Sequence, residues 1–437
     1  MRKTLTKTLF HLYDLRYNRD LSKNYEGVKR QYEQRILLNK STLSAFLESW
    51  GYENQLMNLP LMTKSDVIEK VKRINRKKVK SWAYTGGSFG EPLQIPYSFQ
   101  RSLIRTATFR FFNELGGYNL GDHYALIRAK EKPSILKFLR NEYLIIPLDT
   151  SSSNIRKILQ TMIDKKIEFL LGYPTVMFDM AKEISLHPGI KDQLNIKNLV
   201  STSEMIDEDK RSYIHKVFGC PLIDRYSNEE VGLIAQQNSL GSEYRVNQYG
   251  LFVEIVSLDK HIPVNSGEVG KVVVTDLNND LIPIVRYDTG DLAVAGEYME
   301  DQLFTIRSII GRTADKLFDT KGNPVSSLAL GPAIYKPLAK GEILTHYQFI
   351  QKSLNTYLLK LKYLKDKFSV EKGKEILENL KKLLGSDAMI SIEFVDTIDP
   401  LPSGKRTIYI NELETHPNLS NQNSITDFHN EYEEKLK

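Results

Sequence analysis

Between Thr85 and Pro92 the chain reads Thr-Gly-Gly-Ser-Phe-Gly-Glu-Pro, directly after a run of strand-forming residues. Gly86, Gly87 and Gly90 fall within five positions. Backbone without Cβ atoms can turn its N–H groups toward one anion, and the hydroxyls of Thr85 and Ser88 add donors for phosphate oxygens. The segment therefore suits a triphosphate, although a tight surface turn would use the same residues. It is not a Walker P-loop, because no Gly-Lys-Ser/Thr follows and Glu91 stands where a lysine would be welcome.

Further polar clusters follow in order. Ser201, Thr202, Ser203 and Glu204 end one strand-like run, and Tyr226, Ser227, Asn228, Glu229 and Glu230 end another. Arg286 to Asp291 reads Arg-Tyr-Asp-Thr-Gly-Asp; Gly311, Arg312 and Asp315 come next, and Leu-Pro-Ser-Gly-Lys closes the series at Lys405. Each has a plain reading. Asp291 suits a turn cap, Tyr226 a core aromatic, and Lys405 a solvated loop.

Elements that could position these groups alternate along the middle of the chain. Trp82–Thr85, Tyr124–Ile127, Phe169–Leu171, Leu199–Thr202 and Leu222–Tyr226 have strand character. Asn154–Asp164, Val176–Ser185 and Glu208–Phe218 have helical spacing between them, which predicts an α/β architecture with a largely parallel sheet. From Tyr244 to Gly311 the texture changes to short β runs (Leu251–Val256, Lys271–Asp276, Ile284–Tyr287, Leu303–Ile309) divided by Gly, Asn and Asp turns, which predicts a mainly antiparallel section. Beyond it, strands at Tyr347–Ile350, Tyr357–Lys362 and Met389–Val395 and an amphipathic helix over Val370–Leu384 read as a compact α+β domain. The stretch from Thr415 reads as a surface helix or frayed tail.

Length and composition narrow the class. At about 150 residues per domain, 437 residues imply two or three domains. An apolar fraction of 41% with 26% charged residues excludes a disordered or fibrous chain. The net charge of +6 is mild for this length, so the basic run Lys70, Lys72, Arg73, Arg76, Lys77, Lys78 and Lys80 reads as a charged helix face, and no nucleic-acid partner is expected. A single cysteine, Cys220, makes no internal disulfide or thiolate zinc site and reads as a small buried residue, which suits a reduced cytoplasm. The eight histidines form no cluster with metal spacing. No run approaches about 18 apolar residues, so no transmembrane segment is expected; the amphipathic segment from Met1 to Asn18 reads as a helix packed on its own domain.

Taken in order, these motifs resemble those of the adenylate-forming superfamily, the acyl-CoA synthetases and adenylation domains. The likeness covers roughly residues 80 to 410 and is greatest to the phenylacetate-CoA ligase-like branch with its CapK-type proteins of capsular polysaccharide loci. It implies a large N-terminal ATP- and acid-binding domain, 1–311, of mixed parallel sheets plus a β section, and a small mobile α+β lid, 312–437. It further implies that Thr85, Gly86, Gly87, Ser88 and Gly90 hold the β- and γ-phosphates of ATP, that Ser203 and Glu204 lie beside the adenine, and that Tyr226 stacks on it. Glu230 falls on the Mg²⁺ carboxylate. Asp291, joined by Arg312, falls on the ribose ligand, Asp315 on the hinge, and Lys405 on the catalytic lysine that meets charge growing on the α-phosphate.

Departures from the pattern are visible. Glu229 stands where Thr or Ser is usual, which makes it a rival metal ligand, and Ser227 and Glu91 replace a glycine and a lysine. Tyr173, Pro174 and Phe178 resemble the segment lining the acid pocket, suited to a small or aromatic acid. The implied activity is adenylation of a carboxylic acid and acyl transfer to a thiol, of coenzyme A or a carrier protein, or to an amine, in polysaccharide or secondary metabolism. A nucleotide-binding scaffold that has lost catalysis is the alternative. The oligomeric state is open, a homodimer included.

Overall fold

The structure, a computed structural model, describes residues 20–52, 56–84, 94–128, 141–146, 149–206, 208–312, 317–325, 330–331, 333–334, 336–337, 346–362, 368–399 and 408–413. They form two compact units that divide after Ile309, with residues 290–292 grouping with the second. The expected first helix and the segment from Thr415 lie outside the described residues.

In the first unit the helices are α1 (20–33), α2 (Lys40–Ser49), α3 (Lys64–Lys72), α4 (Phe99–Leu115), α5 (Ser152–Asp164), α6 (Pro174–Leu186) and α7 (Glu208–Phe218). A hairpin, β1 (Ser81–Tyr84) and β2 (Gln94–Tyr97), precedes β3 (Tyr124–Ile127), β4 (Glu142–Ile145), β5 (Phe169–Gly172), β6 (Asn198–Thr202), β7 (Leu222–Asn228), β8 (Gly232–Gln237) and β9 (Tyr244–Val246). β10 (Leu251–Val256), β11 (Val269–Asp276), β12 (Ile284–Ala295), the short hairpin β13 (Tyr298–Met299) and β14 (Gln302–Leu303), and β15 (Thr305–Arg312) follow.

Eleven of these strands make one sheet in the order β10-β11-β12-β15-β9-β8-β7-β6-β5-β3-β4. Strands β4, β3, β5, β6 and β7 pair in parallel, whereas β8 runs back antiparallel to β7 and β9 to β8. The two textures expected from the sequence are thus one continuous sheet that changes sense at the β7–β8 hairpin. Periodicity reports how a strand is covered, not which neighbour it pairs with, so the sequence separated what the fold joins.

Local chemistry sets the element ends. Ser98 caps α4 by accepting from the Arg101 amide at 3.1 Å, and Ser151 does the same for α5. Pro174 opens α6, where its fixed φ suits the first turn and no amide is missed. Strand β5 reads Phe-Leu-Leu-Gly with every residue buried, as a strand covered on both faces does. α5 turns Ile155, Ile158, Leu159 and Met162 inward at helical spacing.

The second unit holds a short hairpin, β16 (Leu317–Phe318) with β17 (Pro324–Val325), and a four-stranded sheet of β18 (His346–Ser353), β19 (Thr356–Lys362), β20 (Met389–Phe394) and β21 (Tyr409–Asn411) in the order β20-β19-β18-β21. β18 and β19 form an antiparallel hairpin, to which β20 and β21 add in parallel. Helix α8 (Val370–Leu384) is capped by Ser369, ends at Gly385, and sends Ile376, Leu380 and Leu384 into one core with Phe349, Tyr357 and Leu359.

The basic run extends from the end of α3 to the start of β1 and is mostly exposed. Between Lys70 and Lys80 stand seven cations and no carboxylate, one more than the net +6 of the whole chain. Among the described residues no helix is long and apolar enough to cross a membrane.

Candidate active site

Three parallel strands release the polar clusters at the same edge of the sheet. β5 ends at Gly172 before Tyr173, β6 at Thr202 before Ser203 and Glu204, and β7 at Asn228 before Glu229 and Glu230. Their registers, Gly172 beside Ser201 and Thr202 beside Arg225, set these ends side by side. The carboxyl edge of a parallel sheet is where α/β proteins bind ligands. Backbone strain marks the place: Ser203 has φ of 73°, unusual for a residue with a side chain. Gly172 has φ of 148°, and a Cβ there would lie 2.5 Å from Cβ of Ile127, so only glycine fits.

Side chains tie the ends together. Glu204 accepts from the Thr175 hydroxyl at 2.6 Å and the Thr175 amide at 3.4 Å, so its carboxylate sits at the start of α6. The hydroxyls of Thr202 and Ser227 meet at 3.2 Å. Tyr226 reaches β12 through its hydroxyl, 3.2 Å from that of Thr289, and Tyr287 donates to Oε1 of Glu230 at 3.3 Å. The β7–β8 turn is also held from β2 and α4. The Tyr97 hydroxyl donates to the Glu229 carbonyl at 2.9 Å, and Arg101 donates to the Glu230 carbonyl at 2.6 Å and to Asp276 at 2.7 Å. Burial pushes the Asp276 carboxyl above its ordinary range, against the pull of Arg101.

The two adjacent carboxylates have different surroundings. Glu229 lies between Arg105, 3.1 Å from Oε2, and Arg128, 3.9 Å from Oε1. Arg105 also donates to the Tyr97 hydroxyl. A cation at Glu229 would compete with two guanidiniums, whereas Glu230 accepts from the neutral phenol of Tyr287. Oxygen donors suit Mg²⁺, and of the two Glu230 fits better. Among the described residues no group of three or more His, Cys, Asp or Glu is arranged to hold a metal.

Arg286 is the fixed point of β12. It is 2% exposed, its Nε and Nη2 donate to the two oxygens of Glu254, and further bonds reach the carbonyls of Met57, Leu59 and His261 at 3.0, 2.8 and 2.7 Å. Met62 then pairs with β12: its amide donates to Arg286 at 2.9 Å, and the Asp288 amide donates to its carbonyl at 3.0 Å. This anchoring fixes the backbone from which Tyr287, Thr289 and Asp291 project. Asp291 is 7% exposed.

The structure therefore brings Tyr173, Pro174, Ser203, Glu204, Tyr226, Glu229 and Glu230 to one edge. Tyr226 is 9% exposed and joins the main core, so the packing role that the sequence allowed is realised. Phe178 lies one helical turn into α6, fully buried and edge-on to Tyr213 at 5.6 Å. Arg312 ends β15. The segment Thr85 to Pro92, with Gly86, Gly87, Ser88 and Gly90, lies outside the described residues, as do Asp315 and Lys405. The strands flanking the first of these pair with Tyr84 opposite Gln94. Arg105 and Arg128 were not singled out from sequence. Their partners lie far along the chain, and no local spacing signals such pairs.

The chain has the fold of the adenylate-forming acid–CoA ligases. It aligns with the 2-hydroxyisobutyryl-CoA ligase in its postadenylation state at a TM-score of 0.63 and 12% identity, over 95% of this chain and 91% of that one. ATP-bound MatB from Rhodopseudomonas palustris gives 0.54 at 15% identity, over 83% and 70%. The anthranilate CoA ligase AuaEII with anthranoyl-AMP gives 0.53 at 18% identity, over 76% and 65%. The sequence of this chain is in turn similar to that of CapK. Residues 317–412 match the CapK C-terminal domain, and the chain is 24% identical over 421 residues to Protein CapK of Staphylococcus aureus, covering 92% of this chain and 90% of that one.

Proposed function

We propose that this protein is an ATP- and Mg²⁺-dependent ligase of the phenylacetate-CoA ligase-like kind, which adenylates a small carboxylic acid and passes the acyl group to a thiol or an amine. The acceptor classes are coenzyme A, a carrier protein and an amine, and the setting is surface-polysaccharide or secondary metabolism. The observation that supports it is the linkage of three parallel-strand ends to β12, through Glu204–Thr175, Thr202–Ser227, Tyr226–Thr289 and Glu230–Tyr287, in a chain similar to CapK over most of its length.

In this reading the substrate carboxylate attacks the α-phosphorus, the α–β bond breaks and pyrophosphate leaves. A thiol or amine then attacks the acyl carbon and AMP departs. Tyr226 offers the ring against which adenine stacks, with Ser203 and Glu204 at the base edge and Asp291 and Arg312 at the ribose hydroxyls. Residues 85–90 donate to the β- and γ-phosphates. Glu230 would hold Mg²⁺, which supplies charge neutralisation on the phosphate oxygens. Lys405 donates to the oxygens of the α-phosphate as their charge grows, and rotation at Asp315 then exchanges it for the acceptor. Tyr173 and Pro174 border the acid.

The test is acid-dependent exchange of pyrophosphate into ATP with a broad acid panel. Exchange with at least one acid, lost on Lys405→Ala, is expected. ATP binding without exchange for every acid would leave the nucleotide-binding scaffold as the function.

A further inference from the structure

We infer that the acid activated at this site carries a second carboxylate, held by Arg105 and Arg128; this rests on the ligase reading above. The observation is a charge imbalance at the carboxyl edge. Arg105 takes one oxygen of Glu229 and Arg128 faces the other, so two guanidiniums share a single carboxylate. Among the described residues, neighbouring charges do not remove the surplus. Arg101 and Asp276 form their own buried pair, 3% and 2% exposed, and the Glu230 carboxylate is turned to Tyr287 on β12, where the ligase reading assigns it the cation.

The group is reachable. Side chains of Arg105, Glu229 and Arg128 are 27%, 35% and 40% exposed, unlike the sealed Arg101–Asp276 and Arg286–Glu254 pairs. At 3.9 Å the contact of Arg128 with Glu229 is an ion pair too long for a hydrogen bond, so Glu229 attracts the guanidinium without using its N–H donors. A planar fork of donors fits a carboxylate in bidentate fashion. Position fits as well. Arg128 follows β3 at its carboxyl end, its amide is fixed on the Ile145 carbonyl at 3.0 Å, and β3 pairs with β5, which ends at Gly172 just before Tyr173 of the proposed acid wall. Glu229 thereby acts as a positioning residue that holds the two guanidiniums.

The experiment is pyrophosphate exchange by the full-length chain with matched acids, succinate against butanoate and isophthalate against benzoate. The wild type is expected to favour the dicarboxylate of a pair by about tenfold or more in kcat/KM, which is about 1.4 kcal/mol. Arg128→Gln is expected to reduce that preference at least about fivefold, chiefly through KM of the dicarboxylate, and Arg128→Lys to restore only part of it. Equal use of both acids, preference for the monocarboxylates, or equal losses on both in Arg128→Gln would overturn the inference while the ligase reading stands. Absence of exchange with every acid in a broad panel removes both. Wild-type and Arg128→Gln thermal midpoints within a few degrees exclude misfolding as the cause, and Arg105→Gln, judged by the same preference ratio, gives an independent second test.

Discussion

Arg286 and Glu254 face one another across the sheet with both side chains 2% exposed, joined by two hydrogen bonds of 3.2 and 3.1 Å. Burial raises the carboxyl's affinity for a proton and the guanidinium opposes that rise. The same arginine binds three carbonyls of neighbouring loops, so one cation sets the path of β12 and of the segment around Leu59.

Removing either partner leaves the other charged and buried. Glu254→Ala and Arg286→Ala should each lower stability by about 3–5 kcal/mol, and Arg286→Lys should recover little because one ammonium cannot replace the fork. Chemical denaturation measures this, and a loss under 1 kcal/mol for Glu254→Ala would contradict the clamp.

Tyr226 separates ring from hydroxyl. Tyr226→Phe removes the hydroxyl and its contact with Thr289 and should cost about 1 kcal/mol of stability, with little change in KM for ATP. Tyr226→Ala removes the ring and should weaken nucleotide binding by about 1–3 kcal/mol, read as a rise in Kd for ATP by calorimetry. Equal affinities in the two variants would assign the residue to the core alone.

Glu229 and Glu230 should divide in their response to Mg²⁺. Glu230→Gln is expected to raise the Mg²⁺ concentration for half-maximal exchange by about tenfold or more, and Glu229→Gln far less, because its carboxylate is occupied by guanidiniums. The reverse ranking would move the metal to Glu229.

Burial pushes the Cys220 thiol from its ordinary 9.0 up to about 12. The native chain then binds more protons than the unfolded one between those values, so the contribution of this group to stability falls as pH rises through that window. At pH 8 the thiol should resist Ellman's reagent until the chain is unfolded. Complete labelling of native protein within minutes at that pH would show the burial to be wrong.

Much of the scaffold was legible because it rests on local patterns. Tyr124–Ile127 and Val370–Leu384 coincide with β3 and α8, since alternation and the period of 3.6 are properties of the segment itself. Strand β12 runs to Ala295, well past the expected Tyr287, because Asp288 to Asp291 look like a turn until a neighbouring strand supplies partners. Helix α4 was not anticipated, as its apolar residues are interleaved with arginines, among them Arg101 and Arg105, which hold the β7–β8 turn. Order along the chain pointed to Glu229 and Glu230 as rivals, and only tertiary placement of Arg105 and Arg128 distinguishes them.

The seven cations between Lys70 and Lys80 leave the remainder of the molecule with a net charge of −1. The protein is therefore electrically a patch on a near-neutral body, and it should orient on a cation exchanger through that one stretch. Acetylating the five lysines in it would take the whole chain from +6 to +1. Mutual repulsion between copies would then almost vanish, and precipitation near neutral pH is the consequence to expect in the tube.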